Sequence, residues 1–307
     1  MKVQANPVFV RQLYSGAHRS RFFWLLSGYV LLQGLLIWGA LYLIGSGTFG
    51  GDEARISLAA ILSSARQLYW FSSLLLLLAG GWLAPIAAIG ELTGESEHRT
   101  FDLLRTTTLT SQAIVLGKWE MALLNGLLLL LAPLPMQLLG FWLGGVTVTE
   151  LLLTQFFLFV VLMMNTALAL AISARVRKTW IAVLIFYGII LGVIAFVGGG
   201  ALFLSVEDVF PLLLPTAASL WQKALLQYGW VLLVGLHPLS AAISSVSLCA
   251  GQGAWFLLEF PVSIGGPSVT SPTVLLPAPW LTHTLLALPA TAFLLWRTAR
   301  RIARPEV

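Results

Sequence analysis

Long apolar runs that contain no charged residue constrain this chain most. The first covers residues 22–44, and a helix of that length, at 1.5 Å per residue, crosses a hydrocarbon core about 30 Å thick. Only 9% of the residues are charged, whereas about 25% is usual in soluble domains. The sequence therefore predicts an all-α integral membrane protein. Its predicted spans are residues 22–44, 68–90, 121–143, 151–173, 180–204 and 274–296.

Basic residues give this set of spans an orientation. Four arginines follow the last span, and such a tail is typical of the cytoplasmic side. With both termini in the cytoplasm, only Arg55, Arg66 and Lys223 of the 17 lysines and arginines lie outside. We therefore expect a six-helix transmembrane bundle in the cell (inner or cytoplasmic) membrane, in which Pro133 and Pro135 kink the third helix.

Four regions follow from this topology. Residues 1–21 are interpreted as an amphipathic elbow helix, with a disordered basic tail as the alternative. Residues 22–204 hold helices one to five and a cytoplasmic loop at 91–118, and residues 279–307 hold most of the last helix and the basic tail. Residues 205–278 form an extracytoplasmic segment in which 224–258 carries no charge. Parity favours a re-entrant or surface-lying helical pair there, and two additional spans also fit.

The sequence lacks the residues that are typical of several functional classes. The single cysteine, Cys249, cannot form an intrachain disulfide, and no cysteine and histidine spacing resembles a zinc site. His237 and His283 could be imagined as a metal or haem pair, but lone histidines in apolar surroundings are more often structural. No phosphate-binding G-x-x-x-x-G-K-[ST] motif occurs, so any ATP is hydrolysed on another chain. We expect no catalytic residue, no metal, no cofactor on this chain and no nucleic-acid partner.

The polar segment 91–118, ELTGESEHRTFDLLRTTTLTSQAIVLGK, is the longest predicted cytoplasmic connection. Within 96–107, Phe101, Leu103 and Leu104 fall near one helical face and charged residues surround them. A short helix of this kind suits docking into a groove of a soluble partner. Ser111 is placed to cap the next helix, and a rigid connection there would transmit a push to the bundle.

This segment resembles the loop between the second and third helices of ABC-2-type transporter permeases, the membrane subunits of type V ABC exporters. The family pattern, a Glu-rich start, Gly-Thr-Leu-Glu-Leu-Leu, a Pro-Leu-Ser turn and Ile-Val-Leu-Gly-Lys, is matched by EHRTFDLLRTTTLTSQAIVLGK, although Arg99 and Thr108 depart from it. NPVFVRQLYSGAHRSRFFWLL from Asn6 is similar to the family's elbow helix, and HPLS at His237 stands where the family often has Asn-Pro.

The resemblance implies a permease that pairs with a second copy, as a homodimer, or with a related permease, as a heterodimer. It also implies separate cytoplasmic ATPase subunits that hold ATP and Mg. The residues that would contact the ATPase are Glu97, Arg99, Thr100, Phe101, Asp102, Leu103, Leu104 and Arg105. Without the resemblance, an ordinary solvated loop explains this segment equally well.

The spans offer only neutral polar groups, which favours a hydrophobic or amphipathic cargo over a small ion. Most of these groups should form hydrogen bonds between helices, and some should face a translocation path. The candidates for the path are Gln33, Asn125, Gln137, Gln155, Asn165 and Thr166. A non-transporting membrane scaffold or anchor subunit of a larger complex is the alternative function.

Overall fold

The computed structural model describes residues 8–10, 20–49, 58–97, 109–205, 219–261 and 273–303, and these residues are mostly helical. The helices are α1 (Ser20–Phe49), α2 (Leu58–Leu78), α3 (Ala84–Glu97), α4 (Ser111–Leu131), α5 (Leu134–Trp142), α6 (Val148–Ser173), α7 (Thr179–Ser205), α8 (Leu220–Gly235), α9 (Pro238–Gln252) and α10 (Pro279–Ala303). A π-helical turn, Ala79–Leu83, joins α2 to α3, and two short strands, β1 (Leu257–Pro261) and β2 (Thr273–Pro277), precede α10.

Helix length and composition in the described residues fit a membrane protein. Four segments are long and apolar enough to cross a bilayer, namely Leu62–Glu97, Ser111–Trp142, Val148–Ser173 and Thr179–Gly199. Membrane-spanning helical character is therefore supported, while the number of six spans stays a prediction. Of the predicted elbow helix at 1–21, only residues 8–10 and the first residues of α1 lie within the described parts of the chain.

The prolines act on the third apolar run as predicted. Helix α4 ends at Leu131 and α5 begins at Leu134, with Pro133 between them. Proline has no backbone N–H and its ring collides with the preceding turn, so the regular α-helix is interrupted at this point. The Met136 backbone N–H donates instead to the Pro133 carbonyl at 2.9 Å, which starts α5.

The predicted start of the last span at residue 274 is wrong. Residues Thr273–Pro277 form a strand that pairs antiparallel with Leu257–Pro261, and the helix begins only at Pro279. Pro272 and Pro277, at the two ends of this stretch, are unfavourable inside a helix, whereas proline is acceptable at a helix start. Val274 favours extended backbone. The described ranges are therefore mostly helical, and they include a two-stranded sheet that the apolar pattern did not indicate.

Side chains cover the outer edges of this small sheet. Gln252 donates to the Glu259 carbonyl at 2.9 Å and accepts from the Glu259 backbone N–H at 3.0 Å. The Tyr228 hydroxyl donates to the Leu275 carbonyl at 2.7 Å on the other strand. Because exposed strand edges are templates for pairing, these bonds keep the sheet two-stranded. The helical pair predicted within 224–258 is present as α8 and α9, and its re-entrant or surface-lying placement stays a prediction.

The chain divides into two compact units, one of residues 1–183 and 291–307 and the other of residues 184–290. In the first unit, α3, α4, α6 and the end of α10 pack around a shared apolar core. Glycines allow close approach there. An added Cβ at Gly126 would lie 2.4 Å from Leu162, and one at Gly145 would lie 2.5 Å from the Arg66 backbone nitrogen. The second unit contains α8, α9 and the sheet.

Candidate functional site

A buried lysine joins the two helices that border the predicted coupling loop. Lys118, on α4, is 1% exposed, and its Nζ lies 2.8 Å from Oε1 of Glu95 and 3.8 Å from Oε2 of Glu91. The same nitrogen donates to the Glu91 backbone carbonyl at 2.7 Å. A buried ammonium requires such partners because desolvation of a lone charge is costly. Lys118, Glu91 and Glu95, hereafter the Lys118 cluster, fasten the end of α3 to the start of α4.

Glu97 makes a second connection from the end of α3. Its Oε1 accepts from the Thr179 backbone N–H at 2.7 Å, at the first residue of α7. A carboxylate at that position satisfies a helix N–H that has no partner within its own helix and opposes the positive end of the helix dipole. The end of α3 is therefore tied to α4 and also to the start of α7.

Hydroxyl groups reinforce this second connection. Thr179 Oγ1 donates to Thr93 Oγ1 at 2.9 Å, and the Thr93 backbone N–H donates to Ser173 Oγ at 3.0 Å. Ser173 Oγ in turn donates to the Ile89 carbonyl at 2.6 Å. Thr93 and Ser173 are almost fully buried, so these bonds satisfy groups that water does not reach. Helices α3, α6 and α7 are thus held together where the chain approaches residue 98.

The cap of α4 differs from the prediction by one residue. Thr110 is the N-cap, and its Oγ1 accepts from the Ala113 backbone N–H at 3.2 Å, while Ser111 is the first helical residue. Either residue type can cap, and the extended backbone of Thr110 (φ −69°, ψ 145°) decides which one does. Of the proposed ATPase-contacting residues only Glu97 is described. The others, Arg99, Thr100, Phe101, Asp102, Leu103, Leu104 and Arg105, lie outside the described residues.

Three of the candidates for the translocation path meet partners within one layer of the first unit. Gln33 donates to Ser72 at 2.8 Å, and Gln137 donates to the adjacent Ser73 at 3.0 Å. Gln155 donates to the Gln137 side-chain oxygen. Helices α1, α2, α5 and α6 are therefore joined by neutral amides and hydroxyls, which cost far less at membrane depth than charges do.

The remaining candidates for the path lie on α4 and α6. Asn165 donates to the Gly81 carbonyl at 2.8 Å, in the π-helical turn, where regular helical hydrogen bonding is interrupted. Thr166 accepts from the Trp119 indole at 3.2 Å and donates to the Leu162 carbonyl at 2.7 Å. Asn125 is half-buried on α4. The described contacts of Asn165 and Thr166 are thus packing bonds between helices.

An ion pair lies at the opposite end of α6. Glu150, which is 1% exposed, accepts from Arg66 at 2.5 Å. It also forms a capping box with Thr147, accepting from the Thr147 N–H at 2.6 Å while its own N–H donates to the Thr147 hydroxyl at 3.2 Å. The Tyr69 hydroxyl donates to the Glu150 carbonyl at 3.3 Å. This carboxylate fixes the start of α6 against α2.

The two histidines of the second unit have structural contacts. His237 caps α9, with its Nδ1 accepting from the Leu239 N–H at 3.1 Å. Burial, followed by repulsion from His283, lowers the pKa of His237 from 6.5 to about 4. His283 Nδ1 lies 2.8 Å from the Gly235 carbonyl. Within the described ranges, no group of three or more His, Cys, Asp or Glu side chains is placed to hold a metal.

Sequence reasoning missed the pairing of Lys118 with Glu91 and Glu95, and that of Arg66 with Glu150. The signal for the first was present, since Lys118 precedes one apolar run and acidic residues follow the run before it. Consecutive helices are usually neighbours in space, which brings such ends together. The second had a weaker signal in Thr147-x-x-Glu150, which matches a capping box but does not reveal its arginine partner.

No model of a known protein family matches this chain, and no curated protein sequence matches it.

Proposed function

We propose that this chain is the permease subunit of an ABC transporter of the ABC-2 type. It forms a translocation path in the cell membrane with a second permease copy or a related permease, and both of its termini are cytoplasmic. Separate cytoplasmic ATPase subunits bind ATP and Mg and drive export of a hydrophobic or amphipathic substrate. The proposal rests on the resemblance of segment 97–118 to the permease loop and on the contacts that fasten the helix ends bordering it.

The Lys118 cluster is the observation that carries the proposal. A loop that receives force from another subunit is useful only if both of its ends are attached firmly to the helices that must move. Here the end of α3 and the start of α4 share a buried ammonium, so segment 98–108 joins two ends that cannot separate without exposing or stranding a charge. An ordinary solvated loop has no need of this arrangement.

The bonds from Glu97 and Thr93 to α7 extend this support to a third helix. A load applied at 98–108 would therefore reach α3, α4 and α7 together. Such distribution suits rigid-body movement of packed helices, in which cores shift between discrete arrangements and do not deform continuously.

The substrate class rests on the polar groups at membrane depth. The layer of Gln33, Ser72, Gln137 and Gln155 is neutral and hydrogen-bonded within the chain. The charged clusters of the described residues, at Lys118 and at Glu150, lie at the two ends of the helices. An ion carrier needs ionisable groups between such ends, whereas an amphipathic cargo needs few.

A matched pair of charge reversals tests the proposal. Asp102→Lys with Arg105→Glu reverses both charges of the Asp-x-x-Arg motif in the coupling loop. Asp52→Lys with Arg55→Glu does the same to the identical motif on the side predicted to be external. We expect only the first pair to abolish copurification of the ATPase subunit and stimulation of its vanadate-sensitive ATP hydrolysis by the permease.

A scaffold or anchor subunit gives a different result. It would retain its protein partners without any vanadate-sensitive ATPase activity in the purified complex. If the Asp102 and Arg105 reversals leave both copurification and ATPase stimulation unchanged, the loop does not couple to an ATPase.

A further inference from the structure

The basic residues near the end of α10 form one exposed face. Arg297, Arg300 and Arg301 are exposed and follow the i, i+3, i+4 spacing that places side chains on the same side of a helix. The opposite side of this turn packs into the core through Leu295 and Ala299. The arginines therefore project away from the helix bundle of the first unit.

A second basic element lies beside this face. The loop between α6 and α7 exposes Arg175, Arg177 and Lys178, and its Ala174 carbonyl accepts from Arg301 Nε at 3.2 Å. This bond joins the end of α10 directly to the loop. Six exposed cations thus lie on two parts of the chain that this bond joins, and together they are called the basic patch. Its members are Arg175, Arg177, Lys178, Arg297, Arg300 and Arg301.

Exposed aromatic side chains border the patch on both elements. On α10, Phe293 and Trp296 are 52% and 45% exposed, and the Arg300 guanidinium lies 3.9 Å from the centre of the Trp296 ring. Next to the loop, Trp180 is 60% exposed and follows Lys178 after one residue. Aromatic rings of this kind concentrate at the boundary between hydrocarbon and headgroups, with basic side chains just beyond them.

We infer that the basic patch binds the phosphate headgroup of an anionic phospholipid. Exposed aromatic residues beside the six cations are typical of headgroup level, where the phosphates of lipids lie. The cation–π contact holds one guanidinium in place, and guanidinium forks match phosphate oxygens. A general excess of positive charge on one side of the membrane would not require two elements to converge. The inference is independent of the proposed ATPase coupling.

The test uses the full-length chain purified in a zwitterionic detergent, without any ATPase. Pyrene-labelled phosphatidylglycerol is titrated in, and energy transfer from tryptophan to pyrene reports binding. Pyrene-labelled phosphatidylcholine, which has no net charge, is titrated in parallel. We expect tighter binding of the anionic lipid and weakening of that preference in high salt.

Two independent pairs of variants remove charge from the two elements. Arg297→Gln with Arg300→Gln spares the Arg301 bond to Ala174, and Arg175→Gln with Lys178→Gln alters only the loop. Each basic residue near an anionic lipid contributes about fivefold in affinity, so each pair should weaken phosphatidylglycerol binding about 25-fold. Arg297→Lys with Arg300→Lys, which keeps the charge, and Lys223→Gln in the second unit should change it less than threefold.

Equal affinity for the two lipids would overturn the inference. So would an affinity for phosphatidylglycerol equal to that of the wild type in either pair of glutamine variants. If both pairs bind phosphatidylglycerol normally but lose a copurifying acidic protein, the patch is a protein-docking surface and the inference is also wrong. Because the two pairs lie on different elements, misfolding of one leaves the other to decide.

Discussion

Replacing Lys118 by methionine tests the structural basis of the proposed coupling. Methionine has similar length and no charge, so the core around position 118 stays filled. The substitution removes the ammonium that lies 2.8 Å from Glu95 Oε1 and that donates to the Glu91 carbonyl. Breaking one partner out of a buried ion pair typically costs about 3–5 kcal/mol.

The expected loss lies at the low end of that range. The side chains of Glu91 and Glu95 are 26% and 30% exposed, so water can partly solvate them after the lysine is gone. We therefore expect Lys118→Met to lower the free energy of unfolding by about 3 kcal/mol. Unfolding is followed by circular dichroism as sodium dodecyl sulfate replaces a mild detergent. Lys178→Met, which removes an exposed lysine from the loop before α7, should change it by less than about 0.5 kcal/mol.

A second substitution separates charge from packing. Glu95→Gln in the Lys118→Met background removes the negative charge that Lys118 balanced, so the double variant should recover at least about 1 kcal/mol. The single variant should also lose ATPase stimulation while it still binds the ATPase, since the loop keeps its contact residues. A loss no larger than that of Lys178→Met, or a double variant no better than the single one, would refute the role assigned to the Lys118 cluster.

Three further substitutions have defined outcomes. Gly145→Ala should cost about 1–3 kcal/mol in the same unfolding assay because its Cβ would meet the backbone of α2, while Gly90→Ala, with open space around it, should not destabilise. Asn165→Leu should cost about 1 kcal/mol, since it leaves a carbonyl of the π-helical turn without its donor. The neutral form of His237 stabilises α9, and the pKa of this ring falls from 6.5 to about 4 on folding. Its contribution is therefore full above pH 6.5 and is lost as the pH falls toward 4. The protection factors of the α9 amides, which correct the exchange rate for its intrinsic dependence on pH, should fall in that range, and His237→Asn, which caps without titrating, should abolish the change. Protection factors that stay constant with pH in the wild type would contradict this role.

The positions of the helices could be predicted because a bilayer requires long runs without charged residues wherever a helix crosses it. Charge-free runs long enough to cross it matched the central parts of helices α1 to α7, and the Pro133 break was visible as well. Helix ends were harder to predict. Helix α2 starts at Leu58, ten residues before the predicted span, because a helix can continue past the hydrocarbon boundary where its side chains find partners, as Arg66 does with Glu150.

The small sheet could not be predicted from apolar runs. Residues 274–277 are as apolar as the helix that follows them, and only the surrounding prolines oppose helix formation. What fixes the strands is non-local. Gln252 bonds to the backbone of β1 and Tyr228 to the backbone of β2, and neither residue is close enough in sequence to signal a strand. Pairing of this kind depends on contacts that periodicity does not encode.

The candidate site shows the same division between local and non-local information. The polar segment 91–118 could be located from the sequence, but the contacts that fasten the helices on either side of it are pairings across helices. Lys118 lies in the motif that suggested a family, yet its partners were found only in the fold. Thr93 and Ser173 gave no signal, since single hydroxyls on buried helices usually bond to their own backbone, and Thr93 also does so, to Ile89 at 2.8 Å.

The distribution of charge constrains how this bundle can move. Charged pairs fasten the helix ends, at Lys118 on one side and at Glu150 on the other, while the middle is joined by neutral amides. A neutral hydrogen bond between membrane helices contributes only about 0.6 kcal/mol, whereas stranding a buried charge costs several times more. Helix pairs joined at their ends should therefore move as rigid units, and slippage should occur first in the layer of Gln33, Gln137 and Gln155. Cross-linking cysteines placed at Gln33 and Ser72 should accordingly block substrate export. The same cross-link between α3 and α4, at Leu92 and Val115 of their shared apolar cluster, should preserve export, because it leaves the Lys118 cluster intact and the proposed cycle never separates those ends.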